Sequence, residues 1–306
     1  MESHSEPYSG LTVDPRLQPF RSKAGGTALL ILAPILAIAG TAILTGFCLY
    51  LYHLYSQDGR FLLFTMLAPI FPVVAAGHLA RTGLRLRQED AVSLLKRDPR
   101  RPIVFVRSFV EDSRLVSNVP AGETIGGEKT GLQGDVGIGA FIFRFKKKAT
   151  LEVSLARALR RVGPFVAIGQ PADALAPFGA ARLYVSNDHW RSAVAAWVRV
   201  AGAVVVQPEA SEGTWWEVNH VATSVDLRRV LIIVPNPSVR PLGYARIQSL
   251  TARVLPTPLP VRTLPCDAFM FDHNYRPRPL NIGRDTEEGL KPFIDQIRAL
   301  NALEKI

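Results

Sequence analysis

At 306 residues, the chain has room for one large domain with appendages, or for two domains. Hydrophobic residues make up 48% of it and the mean hydropathy is positive, which excludes a disordered or disulfide-scaffold class and points to membrane segments. Lys and Arg outnumber Asp and Glu, 36 to 26, for a formal charge of +10.

Residues 1–23 are polar, with Pro, Ser and Gly and no period, and read as a disordered tail. Ala24 to Tyr52 and Phe61 to Ala80 each lack Asp, Glu, Lys and Arg. About 20 apolar residues span a bilayer core, so the two runs, joined by the polar turn Ser56 to Arg60, predict a transmembrane hairpin over 24–80. Basic residues precede the first run (Arg16, Arg21, Lys23) and follow the second (Arg81, Arg85, Arg87, Lys96, Arg97, Arg100, Arg101). The positive-inside rule then places both ends in the cytoplasm, a multi-pass protein of the inner membrane. The basic linker 81–101 suits anionic lipid head groups. No nucleic-acid signature accompanies the charge. Cys48 and Cys266 lie far apart and imply no disulfide framework.

Arg81 to Arg97 reads as a short amphipathic helix leaving the membrane, stopped by Asp98-Pro99. Ile103 to Val106 is a short continuous apolar run, the mark of a strand buried on both faces. A glycine-rich insertion, 113–148, follows. Within it Gly122 to Gly139 has no core pattern, and Phe141, Phe143 and Phe145 alternate like a strand. Gly122 and Gly127 imitate a phosphate-binding loop, but Glu128 stands before Lys129 where the motif needs the lysine. Helical spacing of Leu151, Leu155, Leu159 and Val162 is followed by a strand at Phe165 to Ile168. Leu183 to Val185 reads as an edge strand. Asn187 or Asp188 caps a helix carrying Trp190, Val194, Trp197 and Val198. Further strands are expected at Ala203 to Gln207, Val230 to Val234 and Ala268 to Phe271. A weak helix is expected over Tyr244 to Val254, and a last one carries Leu290, Phe293, Ile294 and Ile297. Alternation of this kind makes a doubly wound parallel sheet over 102–306, whose ligands bind beyond the carboxyl ends of the strands.

Ser211 to Val218, Ser-Glu-Gly-Thr-Trp-Trp-Glu-Val, leaves such an end. It sets one carboxylate, Glu217, near a helix start, beside two aromatic faces, Trp215 and Trp216. Thr214-x-x-Glu217 also fits a capping box, in which Glu only satisfies a backbone donor. His189 and His220 lack metal-ligand spacing, so no metal site is expected.

Val104-Phe105-Val106-Arg107-Ser108-Phe109-Val110-Glu111-Asp112-Ser113-Arg114 resembles the first box of Toll/interleukin-receptor (TIR) domains. Gly169-Gln170-Pro171 falls where those domains have a variable loop. Glu217 falls where TIR-type NAD hydrolases carry their glutamate. The resemblance covers about Pro102 to Val234. Such enzymes tend to have Trp four residues before the glutamate, where this chain has Gly213. Gly213-x-x-x-Glu217-Val218 is closer to nucleoside deoxyribosyltransferases, which share the flavodoxin-like sheet. The layout as a whole is similar to that of uncharacterised bacterial membrane proteins. The resemblance implies cleavage of an N-glycosidic bond, with NAD as substrate rather than as cofactor. Glu217 would stabilise an oxocarbenium-like state, and Trp215 or Trp216 would stack on the base. Arg107 and Ser108 would hold phosphate or ribose, with Ser211 and Thr214 completing the substrate-binding set. Assembly into homo-oligomers would accompany it. Two further readings stay open at this point: a non-catalytic TIR-like scaffold in which Glu217 is only a cap, and a nucleotide sensor without turnover.

Overall fold

The computed structural model describes residues 19–54, 70–107, 151–169, 176, 178–186, 188–208, 212–234, 241–261, 266–282 and 285–304. These fall into two compact units, one built on residues 19–89 and the other taking in residues 90–171 and 179–304.

The first unit is a helix pair, α1 (Lys23–Leu54) and α2 (Ile70–Leu86). Ser22 caps α1 through a 2.9 Å bond from the Gly25 N–H, the usual service of a serine at this position. At 1.5 Å per residue α1 is about 48 Å long, more than the roughly 30 Å hydrocarbon core. It is long and apolar enough to cross a membrane, and Ile31, Ile35, Ile38, Ile43 and Phe47 stand exposed along it. The helices meet at glycines. A Cβ on Gly26 would lie 2.5 Å from the Gly83 carbonyl oxygen, and one on Gly83 would lie 2.7 Å from that of Gly26. Backbone approach this close is how small residues serve helix packing in lipid. α2 as described has 17 residues and carries Arg81 and Arg85. The rest of the expected second span, 61–69, lies outside the described residues.

The second unit opens with α3 (Ala91–Arg97), capped by Asp90, whose carboxylate accepts from the Ser93 N–H at 2.8 Å. Ala91 and Leu95 are buried against the sheet. The expectation of one helix from Arg81 to Arg97 is thus corrected. The helix breaks between Leu86 and Ala91, and its second half carries a buried apolar face that the α/β unit takes up. Arg100 then ties the chain to the turn that precedes the strand at Phe165 by donating to the carbonyls of Arg160 and Arg161, each at 3.1 Å.

A seven-stranded sheet stands in the order β3-β2-β1-β4-β5-β6-β7 among the described residues. The strands are β1 (Ile103–Arg107), β2 (Phe165–Gly169), β3 (Ala181–Tyr184), β4 (Ala203–Gln207), β5 (Val230–Ile233), β6 (Ala268–Phe271) and β7 (Pro277–Leu280). The first five are mutually parallel, whereas β6 and β7 run antiparallel to their neighbours. The sheet is therefore mixed rather than wholly parallel, and β7 was not expected. Its Pro277 and Pro279 hide it from any alternation test, yet suit an edge, where a missing N–H costs no ladder bond. Asp272 shapes the β6–β7 turn by accepting from the N–H groups of Asn274 and Arg276 at 2.9 and 3.0 Å.

Alternating residues of each strand feed two cores. Val104, Val106, Val204, Val206 and Ile232 pack under α3, α5 (Trp190–Val200), α6 (Glu212–Ser224) and α7 (Pro241–Thr251). Ile103, Phe105, Val205 and Leu231 pack under α4 (Leu151–Leu159) and α8 (Thr286–Leu303). The N-cap of α5 is His189, which makes no side-chain cap bond, rather than Asp188; Asn187 is outside the described residues.

Candidate functional site

Strand order reverses between β1 and β4, the switch point at which open α/β sheets bind ligands. Their carboxyl ends meet at the Arg107–Gln207 pair. β4 leads into α6, which begins at Glu212. Thr214 therefore lies inside the first turn and Glu217 in the second. The capping-box reading of Thr214 and Glu217 is corrected: Thr214 stands at N3 rather than at the N-cap, and Glu217 stands three residues beyond N3. Glu217 is 3% exposed. With Val218 and Val221 it shares the core-facing side of α6, a consequence of the 3.6-residue period. A carboxylate so buried has to be satisfied by polar partners, as Glu217 is, and its place on the helix that follows a switch-point strand makes it a candidate for chemistry.

The two tryptophans diverge. Trp216 is enclosed by neighbours: edge-on to Trp190 with centroids 5.2 Å apart, stacked on His220 at 5.1 Å, and under the Arg191 guanidinium at 5.6 Å. This cluster joins α5 to α6. Trp215 instead lines an open groove with Ser249, Leu250 and Arg253. Of the pair, Trp215 has the ring that a ligand could reach.

Arg107 is held elsewhere. Alternation along β1 puts it on the side of Ile103 and Phe105, opposite the face that α6 covers. There its Nη1 lies 3.0 Å from Glu152 Oε2. The structure does not bring Arg107 and Glu217 together; they flank the carboxyl edge from opposite faces of the sheet. Sequence reasoning missed Glu152. Its carboxylate also accepts from Arg182 Nη2 at 3.0 and 2.9 Å and from the Ala180 N–H at 3.0 Å. A signal was present, because Glu152 continues the buried stripe of Leu155, Ala156 and Leu159, where a carboxylate needs a cation. Ser108 and Ser211 lie outside the described residues, as does the side chain of Thr214.

Among the described residues no group of His, Cys, Asp and Glu could hold a metal ion. His189 shares a 2.7 Å hydrogen bond with Ser186 Oγ. Comparison with protein families, with curated proteins and with solved structures gives no match for this chain.

Proposed function

We propose that the chain is a membrane-tethered, TIR-like (flavodoxin-like) protein whose α/β unit hydrolyses the N-glycosidic bond of NAD or a related nucleotide. The observation that carries this reading is the burial of Glu217 one turn into the helix that leaves β4, beside the switch point. Strand order supports it too. With the edge strand β3 set aside, β2-β1-β4-β5 runs in the flavodoxin-like 2-1-3-4 order; the antiparallel β6 departs from it.

In the proposed reaction the bond between ribose C1′ and the nicotinamide nitrogen breaks, and its electron pair leaves with neutral nicotinamide. The Glu217 carboxylate stabilises the positive charge that develops on the sugar, as carboxylates do in glycoside hydrolysis. Water adds to C1′ and gives its proton to solvent. α1 tethers the unit to the bilayer, a second span completes the hairpin, and both ends are cytoplasmic, where NAD is available.

The Arg107–Glu152 ion pair favours a second reading. An arginine already occupied by an internal carboxylate suits a scaffold whose strand end binds no phosphate.

NAD loss by the detergent-solubilised full chain, at high protein concentration, tests the proposal against Glu217→Gln. A transition-state charge contact is worth about a hundredfold in rate. Turnover in wild type with at least that loss in the variant supports hydrolysis. Equal rates, or no turnover from the assembled wild type, favour the scaffold.

A further inference from the structure

From Val234 to Cys266 the chain carries Arg240, Arg246, Arg253 and Arg262 and no Asp, Glu or Lys. This excursion leaves β5 and returns to β6 at one point, closed by the Val234 N–H donating to the Asp267 carbonyl at 2.9 Å. β5 ends there, so the excursion begins and ends at the carboxyl edge of the sheet. α7 buries Tyr244, Ile247 and Thr251 and turns Leu242, Arg246 and Ser249 outward, at i, i+4 and i+7. The returning chain is bound along it. Tyr244 donates to the Pro260 carbonyl at 2.7 Å, and Gln248 donates to that of Leu259 at 2.9 Å. The first of these bonds sets Val261 beside the start of α7, where Leu242 stands. Leu242 is 87% exposed and Val261 82%, more than any other large hydrophobic residue among the described residues, those of α1 included. Lone exposed aliphatics are ordinary on a protein surface. Two of them held at one end of one helix, in a stretch with arginines and no carboxylate, are not.

We infer that the outer face of α7 docks on an anionic lipid bilayer. Leu242 and Val261 enter the interface, and Arg246 and, beyond the last turn, Arg253 meet the head-group phosphates. Charge complementarity selects this occupant: exposed arginines in a stretch free of carboxylates match a surface of one sign. Two aliphatic side chains with no enclosed groove between them suit a fluid interface rather than a shaped partner. α1 supplies the proximity. In a chain already held by an apolar helix the second contact is intramolecular, so little affinity is needed. The inference rests on the membrane tether proposed above and not on NAD hydrolysis. Docking turns the carboxyl edge, from which α6 also starts, toward the lipid.

The test is a spin label on Ser249→Cys in the full chain, reconstituted as a single chain per nanodisc. Cys48 and Cys266 are buried, so the label takes the new thiol. Collision with lipid-soluble oxygen and with a water-soluble nickel chelate reads the depth of the label. In discs of phosphatidylcholine with phosphatidylglycerol the oxygen-to-nickel ratio is expected to rise above that in discs of phosphatidylcholine alone, and to fall back as salt is added. An arginine near an anionic surface is worth about fivefold in binding. Arg246→Glu/Arg253→Glu should therefore lower the docked-to-free ratio by at least about twentyfold. Leu242→Ser/Val261→Ser should weaken docking and leave its salt dependence in place. All four positions are exposed, so these variants keep the core. Equal label depth in neutral and anionic discs, or no change in the charge-reversed variant, overturns the inference. A label already shielded in detergent micelles, increasingly so with protein concentration, assigns the face to a second copy and overturns it as well. The tether and the docking fail distinguishably. A chain that does not enter discs removes both, whereas one that enters them with its label in water keeps the tether and removes the docking alone.

Discussion

Glu152 and Arg182 face each other inside the α/β unit as a paired contact, with Arg182 Nη2 at 3.0 and 2.9 Å from the two carboxylate oxygens and both residues buried. The pair ties the start of α4 to the edge strand β3, and Arg107 joins it from β1. Removing one partner of a buried ion pair strands the other charge, at a cost of about 3–5 kcal/mol. Glu152→Ala should therefore lower the unfolding free energy of the α/β unit by that much, read from denaturant titration. Glu152→Gln, which can still accept from the Ala180 N–H, should cost less. A Glu152→Ala loss under about 1 kcal/mol, the ceiling for surface pairs, would show that the pair is not holding β3.

Gly179 packs against the same carboxylate. Its φ is +124°, and a Cβ there would stand 2.6 Å from Glu152 Cγ and 2.8 Å from Oε1. Gly179→Ala meets both backbone strain, about 1–3 kcal/mol, and a clash. Since the clash is with Glu152 itself, the two substitutions should not add. The double variant Gly179→Ala/Glu152→Ala is expected to be more stable than the sum of the singles implies, by an interaction of about 0.5–3 kcal/mol. Strict additivity in equilibrium unfolding would place the cost in the backbone alone.

Acid should weaken the fold through two exposed-rim carboxylates. The Arg100 hydrogen bond holds Asp98 below its ordinary range. At Asp226 burial pushes upward, but the hydrogen bonds from Arg228 outweigh it and leave that carboxyl low as well. A depressed folded-state value means stability that is complete above the unfolded value, about 4, and lost as pH falls through the folded one. Melting temperature should fall below about pH 4 more steeply in wild type than in Asp98→Asn/Asp226→Asn. Partial exposure limits each contribution to about 1 kcal/mol. Parallel pH profiles would remove both groups from the acid transition.

Much of this was legible in sequence, and the failures have physical causes. Apolar runs such as Ile103–Val106 and Ala203–Val206 announce buried strands because both faces of a central strand must be covered. β7 is invisible to that logic, being an edge strand with two prolines. The direction of β6 is likewise unwritten in Ala268–Phe271, since burial on both faces is the same whichever way a strand runs. Glu217 was found from its place after a strand. Its helical position was misjudged by one turn, because Thr214 makes as good a cap on paper as any residue near it. The link from Glu152 to Arg107 and Arg182 joins residues distant in the chain, and only the strand order brings them together.

The boundary of the α/β unit gives the last prediction. The basic stretch 81–101 looks like a linker, so a soluble fragment would be cut at Arg101. Yet Asp90 caps α3, Ala91 is fully buried, and Leu95 is 8% exposed against the core. Cutting at Arg101 removes that helix and the Arg100 bonds to Arg160 and Arg161. Deleting a buried leucine side chain alone costs about 2–5 kcal/mol. For a unit of about 200 residues each kcal/mol shifts the melting temperature by about 2–4 °C. A fragment of residues 90–306 should therefore melt at least about 4 °C above one of residues 101–306. The shorter fragment should also expose the apolar surface of β3 and bind a hydrophobic dye. Equal melting temperatures with no difference in dye binding would return α3 to the linker.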